Sequence, residues 1–540
     1  MVWNIADIFD AVAAAVPGDR PAILQDGHVT SWAQFDQRSN RVARRLLAAG
    51  LVAGDSVALI SRNHPAYLEG FVACLKARLV PVNINYRYRA EEVAYVCRDA
   101  GVRGVIYQAE FAPLAIALQA AMPTITTWLS VGGTGGLDTA QDFDAWAGAG
   151  DATPLAITRS PDDPLLLYTG GTTGMPKGVI WPQGKYRAAQ LESPLVARKP
   201  ADLAEHVAMI QANASPGRTL PACPLMHGTG LNSALAELMS GGTAVILPAT
   251  RFDPDQLWQV VERDGVTRIS IVGDAFARPM LEALEAAEGR YDLSRLRVIT
   301  SAGLMWSLEV KQALLQRLPH ITLFDSLGAS EASGMGYTIT TVDEQLPTGR
   351  FKPGRRVALL TEDGRLLGPG VPGVGQLAQA EPLPAGYLGD AAKTAAVFRE
   401  IDGERYSIPG DVAERFPDGT MALIGRGSLV INTGGEKVFV EEVEEAVKRL
   451  PAVADAMVVG VPSEKWGSEV VALVRMTNGA VPDESGWRRL LDDGMAGYKV
   501  PKALYVRDEL PRGENGKGDY RAAKALAETL HRDRAALADG

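Results

Sequence analysis

A chain of 540 residues with 46% apolar and 22% charged side chains holds more than one ordinary core, and its composition excludes a disordered protein. A formal net charge of −10 leaves no basic face for nucleic acid or anionic lipid. Cys74, Cys97 and Cys223 are odd in number and form no CxxC pair, and the histidines lack metal-ligand spacing, so neither a disulfide framework nor a zinc site is expected.

In chain order, MVWNIADIFDAVAAAVPGDR carries acidic residues within its apolar run and no basic leader, which predicts an amphipathic helix rather than a signal peptide. From Trp32 to Asn85 helical and strand-like segments alternate: SWAQFDQRSNRVARRLLAAG, SVALIS, then AYLEGFVACLKARLVPVNIN. The alternation predicts crossover units and a mostly parallel sheet covered by helices. It recurs around GGTAVIL, DPDQLWQVVERDGVTRISIV and RVITSAG, so two similar layered halves are expected. No stretch reaches the ~20 apolar residues of a membrane span, and a soluble, cytoplasmic protein with no integral membrane association is the expectation.

Beyond Arg426 the texture changes. Val440, Val443, Val447 and Leu450 recur at helical spacing, DAMVVGV and EVVALVRM read as strands, and the helix SGWRRLLDDGMAG and strand ALYVRDEL follow. The expected fold class is therefore α/β. A large N-terminal domain (1–426) of layered, mostly parallel sheets with helices is joined near Gly425-Arg426-Gly427-Ser428 to a small mobile α+β C-terminal domain (427–540).

The strongest polar signal is YTGGTTGMPKG, Tyr168 to Gly178, flanked by apolar runs and so read as a loop between two strands. Its glycines, hydroxyls and one ammonium suit a phosphate chain, although composition alone also allows a plain turn. A Walker A loop is excluded, because Pro176 precedes Lys177 and Gly178 follows it where a serine or threonine is needed. The literal GxGxxG match, Gly368 to Gly373, contains two prolines that remove donors, and no helix is expected after it.

Further clusters follow in order: PLMHGTG (224–230), DSLGASEA (325–332), YSIPGD (406–411), GRGSLVINTGGEKV (425–438), YKVPK (498–502) and PRGENGKGDYR (511–521). In this ordered set the chain resembles the adenylate-forming superfamily of acyl-CoA synthetases, firefly-type luciferases and peptide-synthetase adenylation domains, over nearly its whole length. The resemblance implies ATP, Mg²⁺ and coenzyme A as cofactor and co-substrates. It implies that Thr169, Thr172, Thr173 and Lys177 hold the β- and γ-phosphates while Gly170, Gly171 and Gly174 let the backbone approach. Glu331 would bind Mg²⁺, Asp325 would accept from the adenine amino group, and Gly303 and Ser330 would complete the nucleotide site. Asp411 and Arg426 would hold the ribose. Lys517 would bridge the attacking carboxylate and the α-phosphate as the principal catalytic residue, and His227 would line the carboxylate end of the acid pocket. Gly434, Gly435 and Lys437 would form the pantetheine passage.

By residue type alone, Glu331 reads as a helix N-cap, Asp411 as a turn former and Lys517 as a solvated charge, and a packed structural histidine is the alternative for His227. Ala332 stands where an esterase elbow around Ser330 would need its second glycine. Two positions depart from the family pattern: Leu327, where many relatives carry an aromatic residue, and Ser428, where the hinge commonly has Asp or Lys.

The implied activity is that of an acid:CoA ligase, an acid-thiol ligase working through an acyl-adenylate. PLMHGTG, IVGDAFARP, ITSAGLMWS and NTGGEKV resemble FadD-type fatty acyl-CoA synthetases, including those acting on steroid side-chain acids. Small residues at Gly273, Ala275, Ala302 and Gly303, with Leu304, predict room for a long or bulky apolar carboxylic acid. An aryl or aryl-alkanoic acid is the alternative substrate, and a module loading a carrier protein the alternative of another class. The expected partners are the acid, ATP and CoA, with a homodimer as an open option.

Overall fold

The computed structural model describes residues 3–169, 176–248, 251–287, 289–304, 306–347, 349–426, 430–477, 480–512 and 519–538; at 169, 424–426, 430, 439, 441, 445 and 535–538 it describes the backbone alone. In it the helix Trp32–Ala48 starts at a capping box, in which the Ser31 hydroxyl accepts from Gln34 N while the Gln34 side chain accepts from Ser31 N. Its apolar stripe buries Trp32, Phe35, Val42, Ala43 and Leu46 against Ile8, Phe9 and Val12 of the helix Ile5–Ala15, which Asn4 caps. Each such large side chain contributes roughly 1.5–3 kcal/mol when fully buried.

The chain separates into two compact units, one of residues 1–86, 93–168 and 178–425, the other of residues 87–92, 169–177 and 426–540. Among the described residues one sheet runs in the order Gly386–Tyr387, Lys177–Pro182, Pro164–Thr169, Val80–Asn83, Ser56–Ile60, Val102–Gln108, Thr127–Val131, Gln141–Asp142. Its central strands are parallel, and Val57, Ala58, Leu59 and Ile60 are buried, as a sheet covered on both faces requires.

The larger sheet contains a second parallel run, Thr322–Ala329, Val298–Ala302, Arg268–Ile271, Arg218–Pro221, Thr243–Ile246 and Pro21–Gln25. These two parallel runs are the layered halves expected from the alternating pattern. The antiparallel extension was not expected: from Thr322–Ala329 the sheet continues through Ala332–Thr340, Arg350–Pro353, Met421–Arg426, Asp411–Arg415, Gly373–Ala380 and Val357–Leu360. Short strands linked by turns need no crossover helix, so the alternation signal disappears there. No described helix is long and apolar enough to cross a membrane.

In the second unit the helix Val440–Lys448 buries Val440, Val443 and Val447, with Leu450 beyond its end, against the sheet Val453–Ser463, Gly467–Met476, Ala503–Val506. The helices Glu484–Gly494 and Tyr520–Ala538 complete it. Lys499 is buried within this unit, 2.7 Å from both Glu92 Oε1 and Glu442 Oε1. Burial opposes its charge, but the two carboxylates outweigh burial and hold its pKa above the ordinary lysine value.

Candidate active site

The strands Pro164–Thr169 and Lys177–Pro182 carry the two ends of the glycine-rich loop. Gly170, Gly171, Thr172, Thr173 and Gly174 lie outside the described residues, as does Lys517, and Thr169 and Arg426 are placed by their backbones alone. Just before the loop, the Tyr168 ring lies where a Cβ on Gly178 would meet it at 2.9 Å, and its hydroxyl donates to Asp99 Oδ2 at 2.5 Å. Gly178 is thus required for the close approach of this strand to the Tyr168 ring.

One asparagine ties this strand to the histidine motif. Asn83 Nδ2 donates to Tyr168 O at 3.1 Å and to Met226 O at 2.8 Å, and its Oδ1 accepts from Tyr168 N at 2.9 Å. Asn63 grips the same segment, accepting from Leu225 N at 2.7 Å and donating to Cys223 O at 3.1 Å. Both asparagines escaped sequence reasoning. The signal available was an amide side chain at or just after an apolar strand, where backbone groups of a neighbouring loop need partners.

His227 is the N-cap residue of the helix Gly228–Leu238, with extended φ/ψ and no side-chain capping bond. Gly230 sits in the first turn, where a Cβ would fall 2.5 Å from Pro224 O, whereas Gly228 has open space. The loop before the helix therefore folds back onto its first turn.

Asp325 lies within the strand Thr322–Ala329, opposite Ser301 on one side and Thr338 on the other. Lys311 Nζ stands 3.3 Å from Asp325 Oδ2 and 3.3 Å from Thr338 Oγ1. Burial pushes the Asp325 carboxyl up to about 6, with Lys311 acting against that shift. Gly303 follows the strand Val298–Ala302 at φ 95°, in the left-handed region that favours glycine.

Ser330 and Glu331 form the tip of the hairpin between Thr322–Ala329 and Ala332–Thr340, where Ala329 pairs with Ala332. Glu331 is therefore not a helix N-cap, because a second strand follows the turn. Two aromatic side chains hold the tip: Tyr387 donates to Glu331 Oε1 at 2.5 Å, and Trp181 Nε1 donates to Ser330 O at 2.9 Å. Burial and the Glu331 carboxylate both push the Tyr387 hydroxyl above the ordinary tyrosine pKa, so it remains a donor. Among the described residues no three His, Cys, Asp or Glu side chains converge to hold a metal.

Asp411, buried, opens the strand Asp411–Arg415 after Gly410 at φ 97°; Arg426 closes the strand Met421–Arg426. In the second unit Gly434 (φ 55°) and Gly435 (φ 89°) form a two-residue turn between Val430–Thr433 and Glu436–Phe439. Two consecutive positive φ values define the turn whose twist matches a hairpin, which explains the glycine pair. Gly434 N donates to Trp466 O at 2.9 Å, and Lys437 lies opposite Asn432.

A cavity of about 840 Å³ lies within the first unit. Thr229, Asn232, Ser233, Ala236, Glu237 and Ser240 line it at spacings of three and four, so it runs along one face of the helix Gly228–Leu238 and just past its end. Its floor is the sheet face bearing Ser270, Thr300, Ala302, Phe324, Ser326 and Tyr337. Of the small residues expected to shape a pocket only Ala302 lines it; Gly273, Ala275, Gly303 and Leu304 do not. The wall also carries a hydroxyl chain, with Ser270 Oγ 2.6 Å from Ser233 Oγ and 2.8 Å from Thr300 Oγ1. The room exists, but its lining is more polar than the small-residue pattern implied.

The family model described as AMP-binding enzyme matches residues 9–385, and that of the AMP-binding enzyme C-terminal domain matches residues 442–517. The chain is 36% identical to the medium-chain acyl-CoA ligase Mig of Mycobacterium avium, covering 97% of this chain and 98% of the relative. It is also 36% identical to the 3-oxocholest-4-en-26-oate–CoA ligase of Rhodococcus rhodochrous, over 97% and 96% of the two chains. Among solved structures, the amide bond synthetase McbA from Marinactinospora thermotolerans has the same fold, with a TM-score of 0.80 at 24% identity over 96% of this chain and 99% of that one.

Proposed function

The chain belongs to the AMP-binding enzyme family, and from that premise we propose that it joins an apolar carboxylic acid to coenzyme A through an acyl-adenylate. The observation that carries the reading is the strand Thr322–Ala329. It presents Asp325, the adenine candidate, on one face, Phe324 and Ser326 to the cavity on the other, and leads to Glu331 at its tip. Nucleotide and acid would meet across one strand.

In the first half-reaction a carboxylate oxygen attacks the α-phosphorus and the bond to pyrophosphate breaks. In the second, the CoA sulfur attacks the acyl carbon, its proton is lost, and AMP leaves. Two anions must approach in the first step, so the chain's contribution is charge neutralisation and positioning. Thr169, Thr172, Thr173 and Lys177, with Gly170, Gly171 and Gly174, would hold the phosphates. Asp325, with Gly303 and Ser330, would hold the adenine, and Asp411 and Arg426 the ribose. Lys517 would bridge carboxylate and α-phosphate, His227 would face the carboxylate, and Gly434, Gly435 and Lys437 would admit pantetheine. The Glu331 carboxylate, held at the hairpin tip by Tyr387, is a hard oxygen donor of the kind Mg²⁺ takes, with one or two carboxylates and the rest of its shell from phosphates and water. Bound there, the ion would neutralise phosphate charge. The other relatives named here act on medium-chain and steroid side-chain acids, and an 840 Å³ cavity has room for either class.

The test is product analysis with Mg²⁺-ATP, CoA and straight-chain acids of increasing length. AMP and pyrophosphate in equal amounts are expected, whereas ADP and orthophosphate overturn the reading, since they mean attack at the γ-phosphorus. Each buried CH₂ is worth about 0.8 kcal/mol, so kcat/KM should rise roughly fourfold per methylene until the cavity is full. Acetate matching octanoate would overturn the substrate class alone.

A further inference from the structure

Buried cations in this chain are normally compensated. Lys76 sits 3.1 Å from Asp10 and 2.5 Å from Asp36, Arg159 lies 2.8 Å from Asp7 and 2.7 Å from Asp10, and Lys499 has its two glutamates. Arg415, which has no carboxylate, is wrapped by the carbonyl oxygens of Val357, Leu367, Gly368 and Val371. Arg187 has neither kind of shell. It projects from the helix Gln183–Leu191, is 5% exposed, and lines the cavity. Nη1 donates to Gln190 Oε1 at 3.2 Å, and the buried Nε has no hydrogen-bond partner. Burial lowers its pKa to about 10 with no carboxylate acting against it, so it stays charged at neutral pH. Of the acids on the same wall, Glu192 pairs with Lys199 at 2.8 Å, and Glu237, itself buried, feels Arg268. His206 Nε2 donates to Met239 O at 2.7 Å, and burial first, then the Arg187 charge, lowers its pKa, so it adds no second cation and supplies no negative partner.

Neighbouring side chains bracket where along the cavity this guanidinium lies. Tyr186 and Gln190 both bond Asn232, and His206, which feels the Arg187 charge, bonds Met239. At 1.5 Å per residue, those positions are about 4.5 and 15 Å along the helix axis from Thr229, away from the end that His227 caps. A cation buried without a counter-charge is strongly unfavourable, and a cavity is where a ligand supplies the missing partner.

We infer that Arg187 receives an accepting oxygen, carbonyl or carboxylate, carried by the substrate acid at a distance from its reacting carboxylate. The inference rests on the acid:CoA ligase reading and narrows its substrate class to oxygenated long or bulky acids.

The test compares decanoic, 9-oxodecanoic and decanedioic acids on the wild type, Arg187→Leu and Arg187→Lys. It measures kcat/KM by pyrophosphate release, binding of each acid by calorimetry without ATP, and Tm. The wild type should favour one oxygenated acid over decanoate at least tenfold; the oxo acid winning names a carbonyl, the diacid a carboxylate. Arg187→Leu should lower that preference at least tenfold, Arg187→Lys should keep part of it, and the unliganded Arg187→Leu protein should melt no lower than wild type. Absence of preference in the wild type overturns the inference, as does an equal loss on all three acids with a lowered Tm, which would make Arg187 a packing residue. If no acid releases pyrophosphate, the ligase reading fails, and calorimetry still decides this inference: an oxygenated acid bound more tightly by wild type than by Arg187→Leu supports it, and equal binding overturns it.

Discussion

Burial holds the Asp325 carboxyl near pKa 6 although Lys311 stands 3.3 Å away. Because the folded chain holds this proton more tightly than an unfolded one, ionisation as pH rises through that value costs stability; the charged form is kept at neutral pH for what it accepts. If that is the adenine amino group, lowering the pH from 7 to 5 should raise KM for ATP in the wild type. Asp325→Asn should flatten the part of the profile centred near 6, and steady-state kinetics of both proteins across that range checks it. Gly230 makes a separate residue-scale case. A methyl group there would meet Pro224 O at 2.5 Å, so Gly230→Ala should cost about 1–3 kcal/mol of stability. Gly228→Ala, where space is open, should cost far less, and thermal melts of the two variants give the comparison.

At the scale of elements, two hairpin turns carry candidate residues for different reasons. Glu331 occupies a turn clamped from outside by Tyr387 and Trp181, which sets its carboxylate by tertiary contact. Gly434 and Gly435 occupy a turn set by local backbone conformation, with φ of 55° and 89°. A leucine in the left-handed region costs roughly 1–2 kcal/mol, so Gly435→Leu should lower the melting temperature before any effect on CoA can be read. Circular dichroism and a thermal melt check it; a variant as stable as wild type would show that the turn tolerates a side chain.

For the whole molecule, the proposed chemistry divides two half-reactions between Lys517 and the glycine turn, both of which follow Arg426 in the chain. Lys517→Ala should slow adenylation by at least roughly 10²-fold, the scale of losing one donor to developing charge. Thioester formation from supplied acyl-adenylate should survive much better. The two rates, measured separately on folded protein, decide it, and equal impairment would remove the lysine from an adenylation-specific role.

The residues alone disclosed what depends on near neighbours. The spacing of Val440, Val443 and Val447 marks their helix because side chains three and four apart share a face, and the apolar runs around the glycine-rich loop mark its two strands. The order of the motifs was sufficient to point to the family. Tertiary structure decided whatever depends on partners distant in the chain. Asn83 lies 143 residues from Met226, and no local pattern links them. By residue type Glu331 reads as a helix cap until the strand Ala332–Thr340 is seen to pair back onto Thr322–Ala329. Arg187, within QGKYRAAQL, has the pattern of a solvated helix charge. Only the packing of that helix beside Asn232 and His206 takes the guanidinium out of water, because burial is a property of what surrounds a residue and not of its place in the sequence.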